Sequence, residues 1–519
     1  MFNLNSNQKM KKNILQARKT VLSLFVMLTP SLTSAQIDID GIWYSLLDDR
    51  TAVVQKVWDT GDVVIPTTVT HKDYISDEYH TYTVTTIGLG AAAIEPHVFV
   101  NARDITSITI PATVTEIREH AFVGCASITS LTLPEGLKKI GEHAFNGCGF
   151  TSIIIPTSVT TIPDRAFVYC TNLTEVVFSG EVTSIGYEAF CSCSSLTSIN
   201  FPESLVNIED DAFISCTNLQ SVSLPEGLTR IGKRAFMWCG ELVDINIPAS
   251  ITEIKDHVFY GCSNLISITI PDNVVSIGEE AFKECKALTS ITIPNGVTSI
   301  GRGAFFGCDS LTSITLSDNL TSIGYEMFYE CSNLVSIVIP ESVTEIVGSS
   351  FYGCKNLTDI VLPKNLKTIG KGTFTYCEKL HNVYCYAETP PSTSDFYGEF
   401  IGCPLHEATL HVPVNSIEAY KAANHWRNFG NIVALTNEDG DSTSVSSTLS
   451  RPVRIQCLDG IITLTGLAEG FEVAAYSTSG VQLATATATD GTATLATGLE
   501  VGSTAIVKIG DNSVKVVVK

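Results

Sequence analysis

The chain has 519 residues and a formal net charge of −22. A surface that acidic repels both nucleic acid and anionic lipid, which excludes them as partners. With 44% apolar and only 17% charged residues, the chain can build a large core and does not have a disordered composition.

The first segment is read as a secretory signal over residues 1–35. Lys9, Lys11, Lys12, Arg18 and Lys19 come with no acid. The apolar run Val21 to Leu28 follows, and Thr33-Ser34-Ala35 supplies small residues before Gln36. That run is far too short to cross a bilayer, and no other stretch reaches about 18 continuous apolar residues. An exported chain without a transmembrane segment is expected.

A phenylalanine followed three residues later by a cysteine then recurs from Phe122/Cys125 to Phe374/Cys377. The spacing is 23 residues, except for 22 between Phe145 and Phe167. A fixed period of this length marks a stacked solenoid, whose units cannot bury their apolar faces alone. The unit Leu265 to Cys285 shows the grammar. Ser267-Ile268-Thr269-Ile270 alternates as a half-buried strand, Pro271 stops it, and Asp272-Asn273 turns the chain. Val274 to Ile277 is a second short extended piece, closed by Gly278. Ala281, Phe282 and Cys285 have the spacing of one helical turn that presses ring and thiol inward. About 13 coils at roughly 4.8 Å each give a body about 60 Å long.

This unit resembles the BspA-like leucine-rich repeat family, whose pattern Leu288 to Cys308 matches almost letter for letter. The resemblance implies a mostly β solenoid of right-handed, leucine-rich-repeat-like coils with short helical turns over 83–385. Asp40-Gly41-Ile42-Trp43-Tyr44 and Asp62 to Pro66 resemble the family's β-rich N-terminal cap, here 36–82. Tyr386 to Pro391, the extra Phe400/Cys403 coil and Val412 to Trp426 resemble its C-terminal closure, here 386–436, with Ile417, Tyr420 and Ala423 on one helix face. The first coil is irregular and has Ala102 where cysteine belongs. Family members are mostly exported or surface-displayed, and some resemble adhesins for matrix or host proteins.

The cysteines are expected to be a column of buried free thiols. Stacked in parallel about 4.8 Å apart, their Cβ atoms do not meet the disulfide requirement of about 3.8 Å with converging vectors. Cys191, Cys385 and Cys457 lie outside the column, and Cys191-x-Cys193 alone is no metal site. No metal, cofactor or catalytic constellation is read. The histidines form no H-E-x-x-H or Cys/His set, and no G-x-S-x-G elbow or phosphate loop occurs.

Function is therefore placed on the outward residues of the first strand. Thr269, Thr292 and Thr315 exemplify a column of short hydroxyls, flanked by another that is mainly serine. Such a face loses little side-chain entropy when a large partner docks. Two apolar interruptions, Ile154/Val177 and Val338/Val361/Tyr384, could anchor a ligand or pack under neighbouring structure. The reading is a binding protein for extracellular or host proteins or glycans; the alternative is a structural spacer with no specific ligand.

After a Ser/Thr/Asp-rich linker, 437–450, the tail 451–519 alternates apolar and polar residues in short runs, as a small antiparallel β-sandwich does. Val473 to Tyr476 with Ser479-Gly480, Ile506 to Gly510 and Lys515 to Lys519 resemble the C-terminal sorting domain of type IX secretion cargo. That resemblance implies a secretion-machinery partner and display at the outer surface of a Gram-negative cell. Ala505 stands near the tyrosine position of that pattern, and an Ig-like adhesion module is the other reading of the tail.

Overall fold

The computed structural model describes residues 35–435, apart from 59, 74–75, 89–97, 100–101 and 394–397. In the tail it describes 454–458, 461–465, 471–477, 481–489, 492–499, 504–509 and 512–517. The expected signal segment lies outside these residues except for Ala35, and the linker 437–450 lies outside them entirely.

Each coil of the repeat has three sides, and each side is hydrogen-bonded to the next coil. The first side is a parallel ladder of strands such as Ser198–Asn200, Ser221–Ser223, Ser290–Thr292 and Ser313–Thr315. The alternation read from the sequence is visible in it, with Ile291 and Ile314 inside and Thr292 outside. The second side is a parallel ladder of two-residue strands, among them Ser276–Ile277 and Ser299–Ile300.

The third side carries Phe and Cys inward as expected, but it is not helical. It is a run of tight turns with two left-handed residues per coil, for example Glu280 at φ 51° and Glu284 at φ 57°. Alternate amides there reach across to the next coil: Glu280 N–H donates to Arg302 O (2.8 Å), Phe282 N–H to Ala304 O (2.8 Å) and Glu284 N–H to Phe306 O (2.7 Å). A helical turn would keep those donors within its own segment. The tight turns instead tie coil to coil, which offsets a left-handed cost of about 1–2 kcal/mol per non-glycine residue.

Inside, every coil contributes the same buried set: Leu265, Ile268, Val274, Ile277, Phe282 and Cys285 in the unit read above. The rings form one continuous stack from Phe99 to Phe400, and neighbours in its middle are 5.1 to 6.0 Å apart and almost parallel. A single apolar core runs from Ile42 to Phe429, so both end regions belong to it.

At the N-terminal end, Ala35–Ile39, Ile42–Leu46 and Thr51–Val57 form an antiparallel meander. Tyr79–Ile87 pairs in parallel with Thr51–Val57 and then with Glu116–Ile117, which carries the sheet into the second ladder. Gly61–Val64 pairs in parallel with Ile105–Thr109 on the first ladder, so this region supplies the template for both. At the other end, Thr409–Val412 and Asn431–Ala434 extend the first ladder. The short helix Ile417–Ala422 sets the buried Tyr420, whose hydroxyl donates to Ala387 O at 2.8 Å. Trp426, fully buried, meets Phe400 edge-on at 5.7 Å and ends the ring stack, with its Nε1 donating to Pro391 O.

The tail consists of two antiparallel sheets around its own core. Ile462, Leu464 and Leu495 come from one sheet, and Val473, Ala475 and Val507 from the other. This is the small sandwich expected from the alternation.

Phe259→Ala removes one ring from mid-stack and is expected to cost about 3–5 kcal/mol of unfolding free energy. Urea denaturation of the full chain measures it, and a loss below about 1 kcal/mol would remove the ring stack as the main source of stability.

Candidate functional site

The outward column of the first ladder is exposed without a break from Val177 through Asn200, Ser223, Asn246 and Thr269 to Thr292. Register holds the column straight, with Asn246 opposite Thr269 and Thr292 opposite Thr315. Hydroxyls just ahead of the strands brace successive coils: Thr174 Oγ1 donates to Thr151 O at 2.9 Å and Thr312 Oγ1 to Thr289 O at 3.1 Å. The face is thus nearly neutral, broken by the exposed acids Glu175 and Asp244.

The other expected site residues do not form one surface. Thr315 is half-buried, with its hydroxyl shielded and without a partner. Val338 is exposed, but Val361 is buried at 4%, held in register between Val338 and Tyr384. Tyr384 is half-buried and stacks on His411 of the C-terminal region at 4.4 Å. The expected patch Val338/Val361/Tyr384 is therefore corrected. Its middle residue packs under its neighbours and its last ring is committed to the closure, which leaves Val338. Ile154 (56% exposed) and Val177 (40%), opposite each other in register, are the more open apolar pair.

The cysteine column is buried and free from Cys125 to Cys377. Each thiol from Cys148 onward donates to the carbonyl of the phenylalanine in the preceding coil, as Cys262 Sγ does to Phe236 O at 3.2 Å and Cys285 Sγ to Phe259 O at 3.2 Å. Burial pushes the Cys170 thiol up to about 12, and the other column thiols from Cys148 to Cys377 are raised for the same reason. These are protonated donors at neutral pH, not nucleophiles. Among the described residues, no group of three or more His, Cys, Asp or Glu could hold a metal ion, and no helix is long and apolar enough to cross a membrane.

The turn side holds most of the charge. Its left-handed position carries Arg165 against Glu188 (2.6 Å) and Arg234 bidentate on the buried Asp211 (2.7 Å each), and Arg302, one residue ahead of that position, reaches Glu326 (3.1 Å). Burial alone would raise the Glu188 carboxyl, but hydrogen bonds from Arg165 and Tyr187 outweigh it and hold it below its usual value. His120 and His143 stack at 4.8 Å; burial, then His120 and Arg165, push the His143 imidazole down.

Beside that charge runs an aromatic stripe that the sequence reading missed. Trp238 lies 4.7 Å from Tyr260, Lys283 sits over the rings of both Tyr260 and Phe306, and Phe306, Tyr329 and Tyr352 stack at 4.6 and 4.5 Å. The signal was present: the residue directly after the core phenylalanine is Tyr260, Phe306, Tyr329 and Tyr352 in four of five successive coils.

The array matches the family model described as "BspA type Leucine rich repeat region" over residues 92–219, 183–312 and 298–425. The chain belongs to this family. A crystal structure of a leucine-rich repeat protein from Bacteroides ovatus ATCC 8483 is 34% identical to it. The match covers 67% of this chain and 94% of the other, with a TM-score of 0.56. A leucine rich cell surface protein from Faecalibacterium prausnitzii A2-165 is 29% identical over the same shares, with a TM-score of 0.44. No curated protein matches significantly. In this BspA-type array the Phe and Cys columns are kept on the inside, while the buried residue before the phenylalanine changes from Ala to Val258, Met327, Ser350 and Thr373 and the outer faces vary as described.

The histidine stack gives a pH dependence with a fixed sign. His143 is depressed in the folded state, so the unfolded chain takes up its proton first as pH falls through about 6.5. Stability should therefore drop on acidification through that value until folded His143 protonates, and His143→Gln should flatten the drop. Carboxylates held down, such as Glu188 and Asp256, add their loss only at lower pH. Chemical denaturation at pH 7.5 and 5.5 separates the two windows, and an unchanged slope in the variant would rule out His143 as a source.

Proposed function

We propose that this chain is an exported binding protein, displayed on the cell surface or secreted, that recognises extracellular proteins or glycans through the hydroxyl face of its first ladder. One observation carries the reading: the unbroken exposed run from Val177 to Thr292 on a backbone braced coil by coil. Rigid short side chains lose little entropy on docking, and a flat face of this kind suits a large partner better than a small one. Thr269 and Thr292 stand at one end of it, beyond which Thr315 is half-buried before the exposed Val338, and Ile154/Val177 offers an apolar anchor at the other end. Tyr384 and Val361 support the edge from beneath. Membership of the BspA-type family and likeness to a protein described as a cell surface protein favour display outside the cell.

The test is surface plasmon resonance with purified extracellular-matrix proteins and glycans. The native chain should bind at least one, and Thr269→Arg/Thr292→Arg should weaken that binding by about tenfold or more while the fold is retained. Absence of binding across the panel, or indifference to the double variant, leaves the spacer alternative.

The tail is proposed as the export element, acting with the type IX secretion machinery of a Gram-negative cell. Its two-sheet core and the pattern in Val473 to Tyr476 and Ile506 to Ile509 support this. Mass spectrometry of the protein recovered from its native cell surface should find the chain ending near the linker 437–450. A tail still attached to the mature protein favours the adhesion-module reading.

A further inference from the structure

The turn side changes character in its last coils. Two residues before the core phenylalanine, where the chain adopts a left-handed backbone, it carries Arg234, His257, Glu280, Gly303 and Glu326, and Arg302 spans the gap at Gly303 to reach Glu326 at 3.1 Å. In the next two coils the same place holds Ser349 and Gly372. One residue earlier, Arg302 and Tyr325 give way to Gly348. With those side chains gone, the charged ridge stops and leaves a groove of about 500 Å³, lined by Tyr325, Ser349, Tyr352, Lys371, Thr375 and Ile401 among others.

Two tyrosine rings wall this groove, and the preceding coil covers one face of each. The Arg302 guanidinium lies over Tyr325 at 5.1 Å, and Tyr329 stacks on Tyr352 at 4.5 Å. At the corresponding places in the following coil stand only Gly348 and Thr375, so the second face of Tyr325 borders the groove, while Tyr352 lines it with Tyr376 at right angles to it 5.4 Å away. Ser349 and Thr375 contribute hydroxyls, and the exposed Lys371 contributes an ammonium group. None of the described lining residues carries a carboxylate, although the chain as a whole stands at −22. The volume suits a small ligand and is too small for a protein element.

We propose that this groove binds a carboxylated pyranose, the acidic sugar unit of a glycan. The C–H face of a sugar ring lies against the electron-rich face of a tyrosine, its hydroxyls bond to the Ser349 and Thr375 hydroxyls, and its carboxylate meets Lys371. Uronic acids and sialic acids share this chemistry. The site lies on the turn side and is independent of the Thr269–Thr292 face.

Isothermal titration calorimetry of the full chain with 3′-sialyllactose, trigalacturonic acid and neutral lactose tests the proposal. At least one carboxylated probe should bind about tenfold or more tightly than lactose, and which one binds identifies the sugar class. Ser349→Glu restores the ridge with a residue that the same position already carries at the same backbone angle, φ 51° in Glu280 and 55° in Glu326 against 58° in Ser349. It should fold normally, as circular dichroism reports, and lose binding. Lys371→Gln should bring the acidic probe down to the level of lactose. Failure of both carboxylated probes to bind, equal binding of lactose, retained binding in a folded Ser349→Glu chain, or indifference to Lys371→Gln overturns the proposal.

Discussion

The bond between each column thiol from Cys148 onward and the phenylalanine carbonyl one coil earlier is the constraint on which the rest of the array depends. The Phe carbonyl already accepts the amide of the cysteine three residues on, as in Cys262 N–H to Phe259 O, which leaves one lone pair facing the core. The next coil's thiol takes it, as Cys285 Sγ does with Phe259 O. A buried carbonyl with a lone pair unused is tolerated, but a weak donor of the right size removes the penalty without introducing a charge. Alanine fills the same space without that bond, and serine is more costly to bury wherever its geometry is imperfect. Together with the ring stack, the thiol fixes both spacing and rotation between coils. The two outer faces inherit straight columns from it.

A stack built by repetition has to solve the problem of its ends, and the two ends do so differently. The N-terminal region presents ready-made strands to both ladders, with Tyr79–Ile87 feeding one and Gly61–Val64 the other. The C-terminal region closes the interior. Trp426 lies edge-on against the last ring, where a further parallel ring would need a coil of its own, and Tyr420 reaches Ala387 O and lies 3.1 Å from the thiol of Cys385. Exposed strand edges invite pairing with other chains, so covering them is a requirement of solubility as much as of stability.

Much of this was legible because the inward residues obey strict rules. Leu, Ile, Phe and Cys at fixed spacing leave few ways to stack, and the period alone dictated the coil, the free thiols and the strand alternation. Two features were not legible. The Phe–Cys segment has helical spacing but forms tight turns, because its amides are needed by the neighbouring coil, a long-range demand invisible within one repeat. Val361 sits at an outward position yet is buried, because Tyr384 beside it is large and is drawn toward His411 of a region 27 residues further along. Pattern within the repeat specifies direction, but burial depends on what the adjacent columns hold.

The same reasoning separates the two outer faces. On the strand side, β geometry spaces side chains evenly and favours short, β-branched residues, so variation there produces a flat surface with mild changes in polarity. On the turn side, two left-handed positions per coil accept glycine as readily as a charged residue, so a single substitution either raises a ridge or opens a trough. Gly372 against Glu326 is such a difference, and Gly261 is another: a Cβ there would lie 2.4 Å from the Trp238 ring. The turn side is therefore where a repeat protein can carve a concave site without disturbing its core. The strand side is where it can offer only breadth.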